Sequence, residues 1–191
     1  MQVSAKAGAG PRPMPGILIF VLADIASFLA FLAAFMVERM GAPTLFDQSA
    51  ALLDRRLGIA NTLILVTSGF CVAAAERMHG DGKVELSHRW LLAGIAVGGL
   101  FAATKGAEYG SKIAMGIGPT TNPFFGYYFV LTGLHFVHYV AGMAILVALC
   151  IRRVRARSDY ESWLRGGAIY WHMVDVIWFF VFPVLYLQVG S

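Results

Sequence analysis

The feature that most constrains this chain is a series of long apolar runs, of which the first extends from Ile17 to Val37. A helix that crosses a bilayer needs about 20 mainly apolar residues. The chain offers five such segments, at about 17–37, 57–75, 90–109, 124–150 and 169–189. Only 14% of the residues are charged, whereas soluble domains average about 25%. These segments therefore lie in a membrane.

A backbone that faces lipid must satisfy its own hydrogen bonds, which favours helices. The alternating pattern of a transmembrane barrel is absent. The sequence therefore predicts an all-α fold, a polytopic membrane helix bundle of five transmembrane helices. Residues 1–15, rich in Gly, Pro and Ala, are expected to form a mobile N-terminal tail, and residues 16–191 the five-helix transmembrane domain.

The distribution of Lys and Arg predicts the orientation. The N-terminal tail and the second and fourth joints carry more of these residues than the opposite side does, with a cluster of arginines beginning at Arg152. Under the positive-inside rule, the N-terminus is cytoplasmic and the C-terminus periplasmic in a bacterial inner membrane. The net charge of +4 follows from these flanking residues, so nucleic-acid binding is not indicated.

Small residues recur every four positions in the third apolar segment. Such a stripe allows two helices to approach closely in a membrane. We expect it to be a helix-packing surface, formed by Gly94, Gly98, Ala102, Gly106 and Gly110.

A few ionisable side chains lie inside the apolar segments, where they are costly unless they face protein or water. Two pairs are three residues apart and therefore share a helix face. We expect these side chains to form a buried polar interior, with the glutamate near its outer rim. The set is Asp24, Glu108, His135, His138, His172 and Asp175.

Their chemistry leaves three hypotheses open. Two helices that each offer an i, i+3 pair, with a carboxylate from a third helix, are similar to di-iron bundles, although carboxylates are sparse here. Interhelical hydrogen bonding is the plainer interpretation. The third hypothesis is a proton-linked or lipid-linked role for Asp24 and Asp175. No P-loop, dinucleotide-binding, hydrolase or zinc-protease motif is present.

Five motifs in order along the chain resemble the subunit III family of haem–copper oxidases. The first places an acidic residue before an aromatic-rich run, and the last is Tyr-Trp-His-Met-Val-Asp-Val-Ile-Trp. The motifs begin at Leu22, Asn61, Lys105, Phe129 and Tyr170. The resemblance covers nearly the whole chain after residue 16.

The resemblance implies a non-catalytic accessory subunit with no metal or other cofactor of its own. Such a subunit packs against a catalytic subunit that carries haem and copper, binds phospholipid, and helps to sustain proton uptake. Full-length members have seven spans, whereas this chain looks like the last five. Oxidase members also usually have Glu where this chain has Asp24.

The short form resembles the accessory protein of bacterial nitric oxide reductases. The implied partner is therefore the catalytic subunit of an oxygen-reducing oxidase or of a nitric oxide reductase, whose metal would be non-haem iron in place of copper. The alternative is a self-contained metal- or haem-binding membrane enzyme that uses His135, His138, His172 and Asp175.

Overall fold

A computed structural model describes residues 15–152 and 157–187. In these ranges the chain forms helices and no strands: α1 (Pro15–Gly41), α2 (Pro43–Ala51), α3 (Arg55–Gly80), α4 (Val84–Ala114), α5 (Pro123–Arg152) and α6 (Arg157–Tyr186). Five helices, all except α2, are long and apolar enough to cross a membrane. The predicted all-α bundle of five transmembrane helices is confirmed. The tail predicted at 1–15 lies outside the described residues except for its last residue.

The helix α2 was not predicted from the sequence, which indicated only a joint at this position. It begins at Pro43, where proline is favoured because the first helical N–H needs no intrahelical partner. Its apolar face is buried through Phe46 and Ala50. An ion pair of 2.8 Å between Arg39 and Asp47 joins α1 to this short helix. The segment is therefore packed onto the bundle.

Local chemistry fixes the ends of the long helices. The Asp54 carboxylate caps α3 by accepting hydrogen bonds from the backbone N–H groups of Arg56 and Leu57, at 2.9 and 3.2 Å. The turn between α3 and α4 uses Gly82 at φ +77°, a conformation that side chains other than glycine rarely adopt. The final helix runs through Pro183 and ends shortly after it.

The last helix, α6, contacts α1, α2, α3 and α5, and α5 likewise contacts α1, α2, α4 and α6. The helices α3 and α4 pack along each other. We call the end of the bundle with the α3–α4 turn the turn side, and the end with α2 the α2 side. Aromatic side chains fill the interior, and Trp171, Trp178 and Tyr128 are among the largest fully buried ones.

The small-residue stripe of α4 divides into two parts. A Cβ on Gly94 would lie 3.2 Å from Val72, and one on Gly98 would lie 3.0 Å from the Ser68 hydroxyl, so these two glycines allow α3 to approach. Ala102 is half-buried. No atom of the described part of the chain beyond the local helix lies within 4 Å of a Cβ built on the two remaining members, Gly106 and Gly110. For these two positions, a packing role stays a prediction.

Candidate functional site

The polar residues singled out from the sequence occupy separate places in the bundle. Asp24 and His138 meet between α1 and α5. His172 and Asp175 lie together on α6. His135 is in the fully buried centre of the bundle, and Glu108 lies nearer the α2 side. The structure therefore distributes the expected polar interior over several sites.

The first site is the contact between Asp24 and His138. The His138 Nδ1 atom lies 2.8 Å from the backbone oxygen of Leu134. Because a carbonyl oxygen only accepts hydrogen bonds, Nδ1 carries a proton. The Nε2 atom then faces Asp24 Oδ2 at 3.1 Å, and both side chains are about one-fifth exposed. Asp24 Oδ2 makes no aligned hydrogen bond with a described residue, so the contact is electrostatic.

A proton on either of the two facing atoms would make this contact attractive. Without it, the Nε2 lone pair of His138 would face a lone pair of the Asp24 carboxylate. With it, either a protonated acid faces a neutral imidazole or an imidazolium faces a carboxylate. Asp24 and His138 are therefore two groups that can share one proton.

The second site is on α6, where His172 Nδ1 lies 3.6 Å from Asp175 Oδ2. The carboxylate sits against α3 at Gly69, where a Cβ would lie only 2.2 Å from Asp175 Oδ2. The imidazole of His172 keeps 42% of its exposure, whereas Asp175 keeps 12%. The absence of a side chain at Gly69 therefore leaves room for the Asp175 carboxylate between α3 and α6.

His135 has a different environment from His138, although the two residues are three apart on α5. It is completely buried, with Nε2 donating to the Val174 backbone oxygen at 3.1 Å. Its ring packs against Phe101 and Trp178, with centroid separations of 5.5 and 5.1 Å. This arrangement ties α5 to α6 inside an aromatic core and is typical of interhelical hydrogen bonding.

The most extensive polar site is one that sequence reasoning identified only in part. We call it the Lys105 cluster, which consists of Lys105, Glu108, Tyr128 and Tyr186. The Lys105 ammonium lies 2.8 Å from Glu108 Oε2, and it donates to the hydroxyls of Tyr186 at 2.9 Å and Tyr128 at 3.2 Å. Tyr186 donates in turn to Glu108 Oε1 at 2.7 Å. The cluster therefore joins α4, α5 and α6.

Burial makes this cluster unusual. The side chains of Lys105 and Glu108 are only 1% and 2% exposed. The ammonium also lies 4.9 Å from the centre of the Tyr128 ring and 5.3 Å from that of Trp178, distances at which cation–π attraction acts. A fully buried charge persists only when paired and hydrogen-bonded, and each of these contacts meets part of that requirement.

Two of the basic residues that the orientation argument counts on the side opposite the N-terminal tail, Lys105 and Lys112, are buried in the structure. Lys105 lies in the cluster, and Lys112 is also buried and donates to the backbone oxygen of Leu52. Neither side chain is a free interfacial charge. One sequence feature did indicate a buried ion pair. Lys105 and Glu108 are three residues apart within an apolar segment, which places opposite charges on one helix face.

Polar contacts between helices also occur outside these sites. The Thr104 hydroxyl donates to the Asn61 amide oxygen, and the Ser68 hydroxyl donates to the Gly94 backbone oxygen at 2.8 Å. The Trp178 indole N–H donates to the Thr62 hydroxyl at 3.1 Å. These contacts hold α3 to α4 and α6, as expected where polar side chains associate helices in a membrane.

The geometry gives the metal-site hypothesis no support within residues 15–152 and 157–187. No three His, Cys, Asp or Glu side chains in this part of the chain lie close enough to share a metal ion. His135 and His138 make their contacts with different helices, α6 and α1 respectively.

Residues 13–189 match the family model described as cytochrome c oxidase subunit III. The chain is 29% identical to cytochrome c oxidase subunit 3 of a Synechocystis species, over 91% of this chain and 75% of that protein. It is 31% identical to the Prototheca wickerhamii protein of the same name, over 92% and 69%. It is 25% identical to a probable quinol oxidase subunit 3 of Staphylococcus aureus, over 97% and 93%.

Proposed function

The chain belongs to the cytochrome c oxidase subunit III family, and from this premise we propose that it supports proton uptake and lipid binding beside a catalytic subunit. It is an accessory membrane subunit of a haem–copper oxidase. The redox chemistry belongs to the partner, whose haem and copper do the electron transfer. This chain contributes packing surface and ionisable side chains.

The observation that carries the proton-linked role is the Asp24–His138 contact. It is partly exposed on the surface of the bundle, and its 3.1 Å separation is favourable only with a proton between the two groups. A carboxylate at membrane depth is rare and marks a functional site by default. We infer that the pair retains a proton that can be passed on when the neighbouring subunit draws protons.

The names of the relatives support a proposal for the terminal acceptor of the complex. Those compared above carry the names of cytochrome c and quinol oxidases, so we propose an oxygen-reducing partner ahead of a nitric oxide reductase. Purification of the tagged chain from native membranes in mild detergent tests this proposal. We expect a co-purifying catalytic subunit with a- or o-type haem. A b- and c-type spectrum with non-haem iron would instead identify a nitric oxide reductase.

The role of the pair is tested in that complex with Asp24→Asn. We expect assembly and haem content to be retained while turnover falls several-fold, because an amide does not hold the shared proton. Ser27→Ala is the matched control, since Ser27 lies one turn away on α1 and, among the described residues, donates only to the Ala23 backbone oxygen of its own helix. Unchanged turnover and stability in the Asp24→Asn complex would reject the proton-linked role.

A further inference from the structure

Two buried polar atoms of α6 form no hydrogen bond with any described residue. They are Nε1 of the Trp171 indole and Oδ1 of the Asp175 carboxyl group. Both residues lie inside the candidate membrane span Tyr160–Tyr186. Trp171 is fully buried, and the Asp175 side chain is only 12% exposed. An unpaired polar group is costly in such a place, and native proteins pair nearly all such groups.

The two atoms lie in the same part of the contact between α6 and α3. Trp171 and Asp175 are four residues apart, which places their side chains on one face of α6. Asp175 Oδ2 lies against Gly69 of α3. The Nε1 edge of the Trp171 indole lies near the Ser68 hydroxyl, since Trp171 Cζ2 and Ser68 Oγ are 3.1 and 3.0 Å from the position of a Cβ on Gly98. The indole and the carboxyl group therefore reach α3 at two adjacent residues.

The chemistry of these two atoms defines the ligand. An indole N–H only donates a hydrogen bond, and an ionised carboxylate only accepts. A ligand that satisfies both atoms must accept one hydrogen bond and donate another. A metal cation has no lone pair for the N–H, and a chloride ion has no proton for the carboxylate. Water has both, and it also accepts from the O–H of a protonated carboxyl group.

The hydroxyl of Ser68 provides a third partner for a water molecule. Ser68 is fully buried, and its hydroxyl donates to the Gly94 backbone oxygen at 2.8 Å. The lone pairs of the hydroxyl oxygen are therefore able to accept. Buried waters typically make about three hydrogen bonds to polar groups that the protein leaves unpaired. Trp171, Asp175 and Ser68 together offer that number.

We propose that Trp171 Nε1 and Asp175 Oδ1 hold one bound water molecule between α6 and α3, with Ser68 Oγ as its third partner. The water accepts from the indole N–H and donates to the carboxyl and hydroxyl oxygens. It joins the two helices in the membrane interior, in addition to the direct hydrogen bond from Trp178 to Thr62. The Asp175 carboxyl group is thereby hydrogen-bonded inside the bundle.

This water site is independent of the proposed proton-linked role. It shares no residue with the Asp24–His138 contact. It also needs no partner subunit, because the three side chains that form it belong to α3 and α6 of this chain. The water site and the proton-linked role can therefore succeed or fail separately.

X-ray radiolysis of the full chain in detergent tests for the bound water. Radiolysis converts bound water to hydroxyl radicals, which oxidise the side chains that touch it even where bulk solvent does not reach. Trp178 is the matched control in the same chain, because it is equally buried and its N–H donates to Thr62. We expect mass spectrometry to show that Trp171 is oxidised several-fold faster than Trp178. Equally slow oxidation of both would overturn the proposal.

Ultraviolet resonance Raman spectra report whether an indole N–H is hydrogen-bonded. Difference spectra against Trp171→Phe and Trp178→Phe assign the band of each residue. We expect a hydrogen-bonded N–H at Trp171, as at Trp178. A free N–H at Trp171 would refute the proposal. A bonded N–H without radiolytic oxidation would indicate direct contact between Trp171 and Asp175, and would equally reject the water.

Variants of Asp175 test which group holds the water. Asp175→Asn retains a side-chain oxygen that accepts from water, whereas Asp175→Leu has a similar size and no polar atom. We expect fast oxidation of Trp171 to persist in Asp175→Asn and to fall to the rate of Trp178 in Asp175→Leu. Trp178 also reports whether a variant has opened the core. Fast oxidation of Trp171 alone in Asp175→Leu would contradict the assignment to the carboxyl group.

Discussion

Replacement of Lys105 by methionine should destabilise the bundle more than any substitution of an exposed charge. The Lys105 ammonium and the Glu108 carboxylate are 2.8 Å apart and almost completely buried. Their attraction is about 6 kcal/mol at an effective dielectric constant of about 20, much of it offset by desolvation. Lys105→Met leaves the Glu108 carboxylate buried, with the Tyr186 hydroxyl as its one remaining hydrogen-bond partner among the described residues. We expect a loss of about 3–5 kcal/mol in the free energy of unfolding.

The double variant Lys105→Met/Glu108→Leu separates this explanation from simple loss of packing. Replacing both partners with apolar side chains removes the uncompensated charge, and such replacements are often close to neutral. The double variant should therefore be more stable than Lys105→Met, and the two effects should couple by several kcal/mol. Two tyrosine hydroxyls remain in the cluster and can bond each other.

Unfolding can be followed in mixed micelles of maltoside and dodecyl sulfate by tryptophan emission. Trp171 and Trp178 are fully buried and report loss of packing. Lys83→Met is the matched control, because Lys83 is exposed in the α3–α4 turn, and we expect a change within about 0.5 kcal/mol. A Lys105→Met effect as small as the control, or strict additivity in the double variant, would refute the reasoning.

Two further substitutions test the packing and the helix ends. Gly142→Val should cost about 1–3 kcal/mol, because a Cβ at Gly142 would lie 2.8 Å from the Trp171 ring. Gly133→Val is the control in the same unfolding assay, since among the described residues no atom outside its own stretch of α5 lies within 4 Å of a Cβ there. Equal effects at the two glycines would contradict the close approach. Asp54→Ala removes the α3 cap and should cost about 1 kcal/mol, which Asp54→Asn should largely restore. Failure of Asn to restore stability would indicate a role other than capping.

The helix α2 is an element that could not be predicted from the sequence. Its segment is too short to span a membrane, and its single buried phenylalanine at Phe46 gives no periodic signal of its own. The segment becomes helical against the bundle, where Phe46 packs on Phe35 and Phe124 at centroid distances of 5.1 and 5.7 Å. Tertiary packing stabilises short helices more than intrinsic propensity does. This helix could therefore be identified only from the tertiary structure.

The candidate sites were predictable as residue types but not as partners. The three-residue spacing of His135 and His138 indicated a shared face, yet one ring is buried against α6 and the other contacts α1. The hydrogen bond between Lys105 and Tyr186 joins residues 81 positions apart in sequence, so no local pattern indicated it. Contacts of this kind depend on how each helix is rotated and shifted against its neighbours.

The sequence alone determined the membrane class, the five transmembrane helices and the family, because these follow from local hydropathy and from short motifs that need no knowledge of contacts. The tertiary structure decided which polar groups meet: Asp24 with His138, and Lys105 with Glu108 and two tyrosines. It also decided that the Asp175 carboxylate lies against Gly69. Hydropathy sums over a segment and carries no information on helix rotation. A buried hydrogen bond requires its two atoms within about 3 Å, which only the packing of several helices together can fix.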